Sequence, residues 1–119
     1  IFASGIMVKT SLDAAEKLKE EGIDVEVINV HTIKPIDAET VIESLKKTKC
    51  AVVAENHNII GGLGSAVAEA VTEAYPVPVL RVGVEDQFGR SGKVPPLLEM
   101  YGLTAANIAA KAKEAIKLK

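Results

Sequence analysis

Apolar, β-branched runs alternate along this chain with stretches whose apolar residues recur every three to four positions. Residues 1–4 read as the end of a strand. Val8, Leu12, Ala15 and Leu18 then fall on one helical face, and Gly22 follows where helices commonly stop. Residues 25–30 form a second apolar run, and Asp37 is placed to cap a helix carrying Val41, Ile42 and Leu45. Lys46, Lys47 and Lys49 stand at the negative end of that helix. A third strand is expected at 51–54, a loop with Asn56, His57 and Asn58 after it, and a helix starting at Gly61. That helix turns Leu63, Val67, Ala70, Val71 and Ala74 inward and ends at Pro76 and Pro78. The fourth strand covers 79–84, a polar loop 85–93, and a short helix runs from Pro95 to about Tyr101. Thr104 caps a last helix with Ile108, Ala112, Ala115 and Ile116 inward.

The regular exchange of strand and helix predicts one α/β domain over residues 1–119. Its architecture is a three-layer α/β/α sandwich: a mostly parallel sheet, right-handed crossovers and helices on both faces. A chain this long buries roughly 65% of its unfolded surface, enough for a real core. With two Phe, two Tyr and no Trp, that core has to be built from Val, Ile, Leu and Ala. The aliphatic bias suits strands covered on both faces. A formal charge of −2 supplies no basic field for nucleic acid or an anionic membrane surface. Cys50 is the only cysteine, which excludes an intrachain disulfide and a multi-cysteine zinc site. No apolar run reaches the length of a membrane span, and a cytoplasmic location is expected. The chain opens on an apolar segment without an initiator Met, so it is expected to be N-terminally incomplete, with further domains upstream or on another chain.

Three places could carry chemistry or recognition. Gly61, Gly62, Gly64 and Ser65 lie between a strand and a helix, where backbone amides and the helix dipole can hold an anion. A dinucleotide fingerprint is not completed, because Val67 stands at the third small position and six residues separate the expected strand end from Gly61. Close approach of the helix start to another backbone is the alternative use of these glycines. Glu55 and His57 follow a strand end, the edge where open α/β sheets bind ligands, and a carboxylate beside an imidazole can move protons. No paired nucleophile is evident, which favours a polar loop facing another domain. Asp86, Phe88, Gly89, Arg90 and Ser91 make a loop with an aromatic and an arginine, a natural recognition element on a rigid sheet. These residues are candidates for an interface or anion site, with no catalytic, cofactor-binding or metal-ligating residue among them. His31, His57 and Cys50 lack metal-ligand spacing.

Several strings together resemble one family. Thr32-Ile33-Lys34-Pro35-Ile36-Asp37 resembles the TIKPxD turn of transketolase C-terminal domains. Ala54-Glu55-Asn56-His57-Asn58-Ile59-Ile60-Gly61-Gly62-Leu63-Gly64-Ser65-Ala66-Val67-Ala68-Glu69 resembles that family's AExHxxxGGLGSAVAE segment. Asp86-Gln87-Phe88-Gly89-Arg90-Ser91-Gly92 resembles its DxFGxSG loop, and residues 98–108 its LxxYGLTxxxI helix entry. The likeness runs through the whole chain in order and is nearest to transketolases, especially those split into two shorter subunits. Deoxyxylulose-phosphate synthases and the beta subunits of 2-oxo acid dehydrogenases end in the same kind of domain and remain alternatives. A stand-alone anion- or nucleotide-binding module is the alternative from a different class.

The resemblance implies a strand order of 2-1-3-4, numbered from Ile1. It implies that thiamine diphosphate and magnesium belong to the complete enzyme and bind between two upstream domains, so that this segment holds neither. The activating glutamate would also lie upstream. The segment would then be a non-catalytic structural and subunit-interaction domain of an enzyme that transfers two-carbon ketol units between sugar phosphates of the pentose phosphate kind. Its partners would be the remaining transketolase domains or subunit, in a homodimer. The family's extra antiparallel edge strand has no counterpart here, which exposes a sheet edge beside residues 25–30.

Overall fold

The computed structural model describes residues 1–30, 37–58, 62–84 and 103–119. Within them lie four strands, β1 (Phe2–Ala3), β2 (Ile28–Asn29), β3 (Ala51–Asn58) and β4 (Val79–Val84). The helices are α1 (Met7–Glu20), α2 (Ala38–Thr48), α3 (Leu63–Ala74) and, as α4, Ala105–Lys117. The strands form one parallel sheet in the order β2-β1-β3-β4, as the family resemblance implied.

Side chains alternate across the strands, and each face builds its own core. Ala3, Val52, Ala54 and Val82 pack with Met7, Ala14 and Leu18 of α1 and Ile108, Ala112 and Ala115 of α4. Phe2, Ala51 and Val53 turn the other way, against Val41 and Leu45 of α2 and Leu63, Val67 and Val71 of α3. The result is the expected three-layer sandwich, its cores mainly aliphatic but including Phe2 on one face and Met7 on the other, beyond the Val, Ile, Leu and Ala expected.

Local signals set the helix ends. The Asp37 carboxylate accepts from the Thr40 amide at 3.1 Å and from the Thr40 hydroxyl at 2.7 Å, capping α2. These bonds favour the charged form and hold the Asp37 carboxyl below its ordinary value of 3.8. Thr104 caps α4 by accepting from the Asn107 amide at 3.2 Å. Gly22 follows α1 at φ +79°, the left-handed conformation for which its position suggested a glycine. Lys49 ends α2 at φ 67°, an unusual place for a side-chain-bearing residue, and its ammonium lies 5.1 Å from the centre of the Tyr75 ring.

Several expectations need correction. The inward face of α1 is Met7, Ser11, Ala14 and Leu18, whereas Leu12 is 51% exposed. The helix is rotated by about one residue from the expected phase, bringing the small Ser11 and Ala14 to the closest packing positions. Ser11 is completely buried, and its hydroxyl has no hydrogen-bond partner among the described residues. β2 is shorter than the 25–30 run, because a strand pairs only as far as its neighbour extends. Its pairing with β1 includes Ile28 N–H to Ile1 O and Val30 N–H to Ala3 O, both 2.8 Å, with the Ile1 amino group donating to Glu26 O at 2.8 Å. β3 continues four residues past its expected end at Ala54, paired at its tip with β4 through Asn58 and Val84. α3 starts at Leu63 with Gly62 as its N-cap rather than at Gly61, and Ala74 is exposed at its last position. Ile116 is 37% exposed rather than inward, because the α4 positions that face the core are Ile108, Ala109, Ala112 and Ala115. His31, most of the TIKPxD turn, the loop with Asp86 to Ser91 and the short helix after Pro95 lie outside the described residues.

Candidate functional site

In a parallel sheet all strands end at one edge, and β3 carries the candidate residues there. Ala51 and Val53 face the α2/α3 layer, so strand periodicity sends Glu55 to the same side. The Glu55 side chain therefore belongs to the helix layer, not to a solvent loop. It is 2% exposed. Oε1 accepts from the Leu63 amide at 3.1 Å and Oε2 from the Gly64 amide at 2.7 Å.

These two amides open α3, where the first turn of a helix leaves its N–H groups without intrahelical partners. Gly62 has no side chain with which to cap them. A carboxylate delivered from the neighbouring strand takes that role, with the positive end of the helix dipole stabilising its charge. Burying a carboxylate is costly unless it is hydrogen-bonded, and the two charge-assisted bonds offset that cost.

Gly64 is buried in the first turn of α3, and a Cβ built there would lie 2.6 Å from Cδ and 2.8 Å from Cγ of Arg81. Arg81 pairs in register with Val53, so its stem crosses the same face and covers the helix start. The glycine thus serves close approach, and the neighbour it admits is an arginine stem. β3 is irregular between Ala54 and Asn58, a stretch that opposes only the Val82–Val84 step of β4. Extra residues in one strand bend it and re-aim side chains, and such irregularities recur near functional sites.

The predicted site residues are distributed as follows. Glu55 and Gly64 are brought into contact, with Gly62 beside them as N-cap and Ser65 half-buried in the same turn. His57 lies in β3 by its backbone rather than in a loop. Gly61, Asp86, Phe88, Gly89, Arg90 and Ser91 lie outside the described residues. Since β3 reaches Asn58, only two residues rather than six separate the strand from Gly61, so spacing does not exclude a phosphate-binding turn. Instead, the Leu63 and Gly64 amides are already occupied by Glu55. The roles of Leu63 and Arg81 were not evident from the sequence. Arg81 had one signal, being the single charge in an otherwise apolar strand.

Among the described residues no group of three or more His, Cys, Asp or Glu side chains is arranged to hold a metal ion. A cleft of about 230 Å³, with Ile1, Cys50 and Ile116 among its apolar lining and Asp24, Lys47 and Lys119 among its charged lining, opens at the opposite edge, where the strands begin.

Comparison with known proteins places this geometry. The family model for "Transketolase, C-terminal domain" matches residues 1–108. A 6-deoxy-6-sulfo-D-fructose transketolase subunit of Clostridium sp. (strain MSTE9) is 52% identical over the full chain, which spans 37% of that protein. The 1-deoxy-D-xylulose-5-phosphate synthase of Heliobacterium modesticaldum is 40% identical over 96% of the chain and 18% of its own length. Among solved structures, a split-gene transketolase described as an inactive beta4 tetramer superposes with a TM-score of 0.95 and 49% identity, over 99% of this chain and 39% of that one. The chain therefore spans little more than a third of the first of these relatives, and it belongs to the transketolase C-terminal domain family.

Proposed function

We propose that this chain is the non-catalytic C-terminal domain of a transketolase, acting as a scaffold through which subunits assemble. The complete protein would transfer two-carbon ketol units between sugar phosphates. Thiamine diphosphate and magnesium would be held by domains outside this segment, in a cytoplasmic enzyme of dimeric or higher symmetry. The observation carrying the reading is the near-complete superposition on a split-gene transketolase whose description names a tetramer of beta subunits. The site agrees with a structural role: its buried carboxylate is committed to helix amides rather than to a substrate cavity.

A split transketolase fits better than the synthase alternative, because the transketolase subunit shares more identity and this chain spans a larger share of it. The test is sedimentation of the full-length protein, with its companion subunit where one exists, with and without residues 1–119. Loss of the domain is expected to dissociate the assembly while the remaining domains still bind thiamine diphosphate. Unchanged assembly without the domain overturns the reading.

A further inference from the structure

The place where a protein of this layout commonly holds a ligand's anion is the start of a helix at the C-terminal sheet edge. Here a carboxylate of the chain itself fills it. Each Glu55 oxygen takes one amide, the residue is almost entirely buried, and the arrangement is closed over by the Arg81 stem lying against Gly64. Glu55 also stands at the beginning of the irregular stretch of β3, immediately after the last regular pair, Ala54 with Val82.

We propose that Glu55 is the resident anion of α3. It is a positioning residue that latches the start of the helix to β3, and it excludes free phosphate from this terminus. The physical case rests on competition. An incoming phosphate would have to displace Glu55, leaving an ionised carboxylate without partners in a site of low dielectric. The internal carboxylate, by contrast, is already oriented by the strand, and folding has met its ordering cost. Glu55 thereby holds the start of α3 against β3 in a domain that the proposed function makes a scaffold. The latch itself does not depend on that reading.

Hydrogen exchange of the full-length protein, followed by mass spectrometry, tests the latch with Glu55→Ala and Glu55→Gln. Removing a bond to a charged acceptor should raise exchange of the amides within 62–66 roughly tenfold or more in Glu55→Ala. Glu55→Gln should show a smaller rise, since its carboxamide keeps one acceptor oxygen but presents an NH₂ donor to the second amide. Residues 68–74 should keep their protection. Formate, a free carboxylate, should restore protection at 62–66 in Glu55→Ala and leave the unaltered protein unchanged. Exchange at the unaltered rate in both variants overturns the proposal, as does a rise that formate does not reverse. Protection of the unaltered protein's 62–66 amides by inorganic phosphate also overturns it. If Glu55→Ala does not fold, the local rise in Glu55→Gln carries the test. Sedimentation of the same samples reports on assembly separately, so failure of the latch and failure of the assembly role are distinguishable.

Discussion

Replacing Gly64 with Ala sets two local effects against each other at the candidate site. Helix propensity favours Ala over Gly by about 1 kcal/mol in a helix interior, and by less in the first turn, where Gly64 sits. Against this, the new Cβ would stand 2.6 Å and 2.8 Å from Cδ and Cγ of Arg81. These are mid-stem atoms, so the whole arginine arm has to swing rather than its tip. Overpacking of this kind costs about 1–3 kcal/mol. Arg81 is exposed enough to yield outward, which favours the lower part of that range. The net expectation is a destabilisation of roughly 0.5–2 kcal/mol. In urea unfolding of the chain this appears as a midpoint lower by about 0.5 M. A double-mutant cycle isolates the cause. In an Arg81→Ala background the space is free, and Gly64→Ala should become neutral or mildly stabilising. A raised midpoint for Gly64→Ala alone, or the same penalty in both backgrounds, would refute the close-approach reading of this glycine.

Other expectations follow from single contacts. Leu45→Ala, at a fully buried position on the inner face of α2, should cost about 2–5 kcal/mol by denaturant unfolding. The carboxyl of Asp37 has a depressed folded-state pKa, so its stabilisation is present above the ordinary value of 3.8 and is lost as pH falls through the folded value. Asp37→Ala should therefore melt lower than the unaltered chain at pH 7, with the gap closing toward pH 2 in parallel thermal scans. Lys113 and Glu21 tie α4 to α1 across the surface, with side chains about half exposed. Their coupling energy in a double-mutant cycle should be no more than about 1 kcal/mol and should shrink with added salt.

The architecture was legible because its signals are redundant. Alternating periods, the Asp37 and Thr104 caps and the stop at Gly22 all specified the same elements. The strand order came from the family resemblance, since periodicity alone does not rank strands. The phase of α1 was misread because its closest contacts use Ser11 and Ala14, small residues that a search for large apolar side chains passes over. The site was half legible. Glycines between strand and helix indicated a close approach and a place for an anion. Ending β3 at Ala54 hid the fact that Glu55 continues the inward alternation of Ala51 and Val53. The stem of Arg81 over Gly64 is a contact between distant elements, which no local pattern records.

Calorimetric titration of the 119-residue chain with thiamine diphosphate and magnesium, beside the same titration of the complete transketolase assembly, addresses the central claim most directly. A scaffold domain whose buried carboxylate is committed to its own helix should give no binding heat at millimolar cofactor, while the complete assembly binds. Micromolar affinity in the isolated chain would contradict the account.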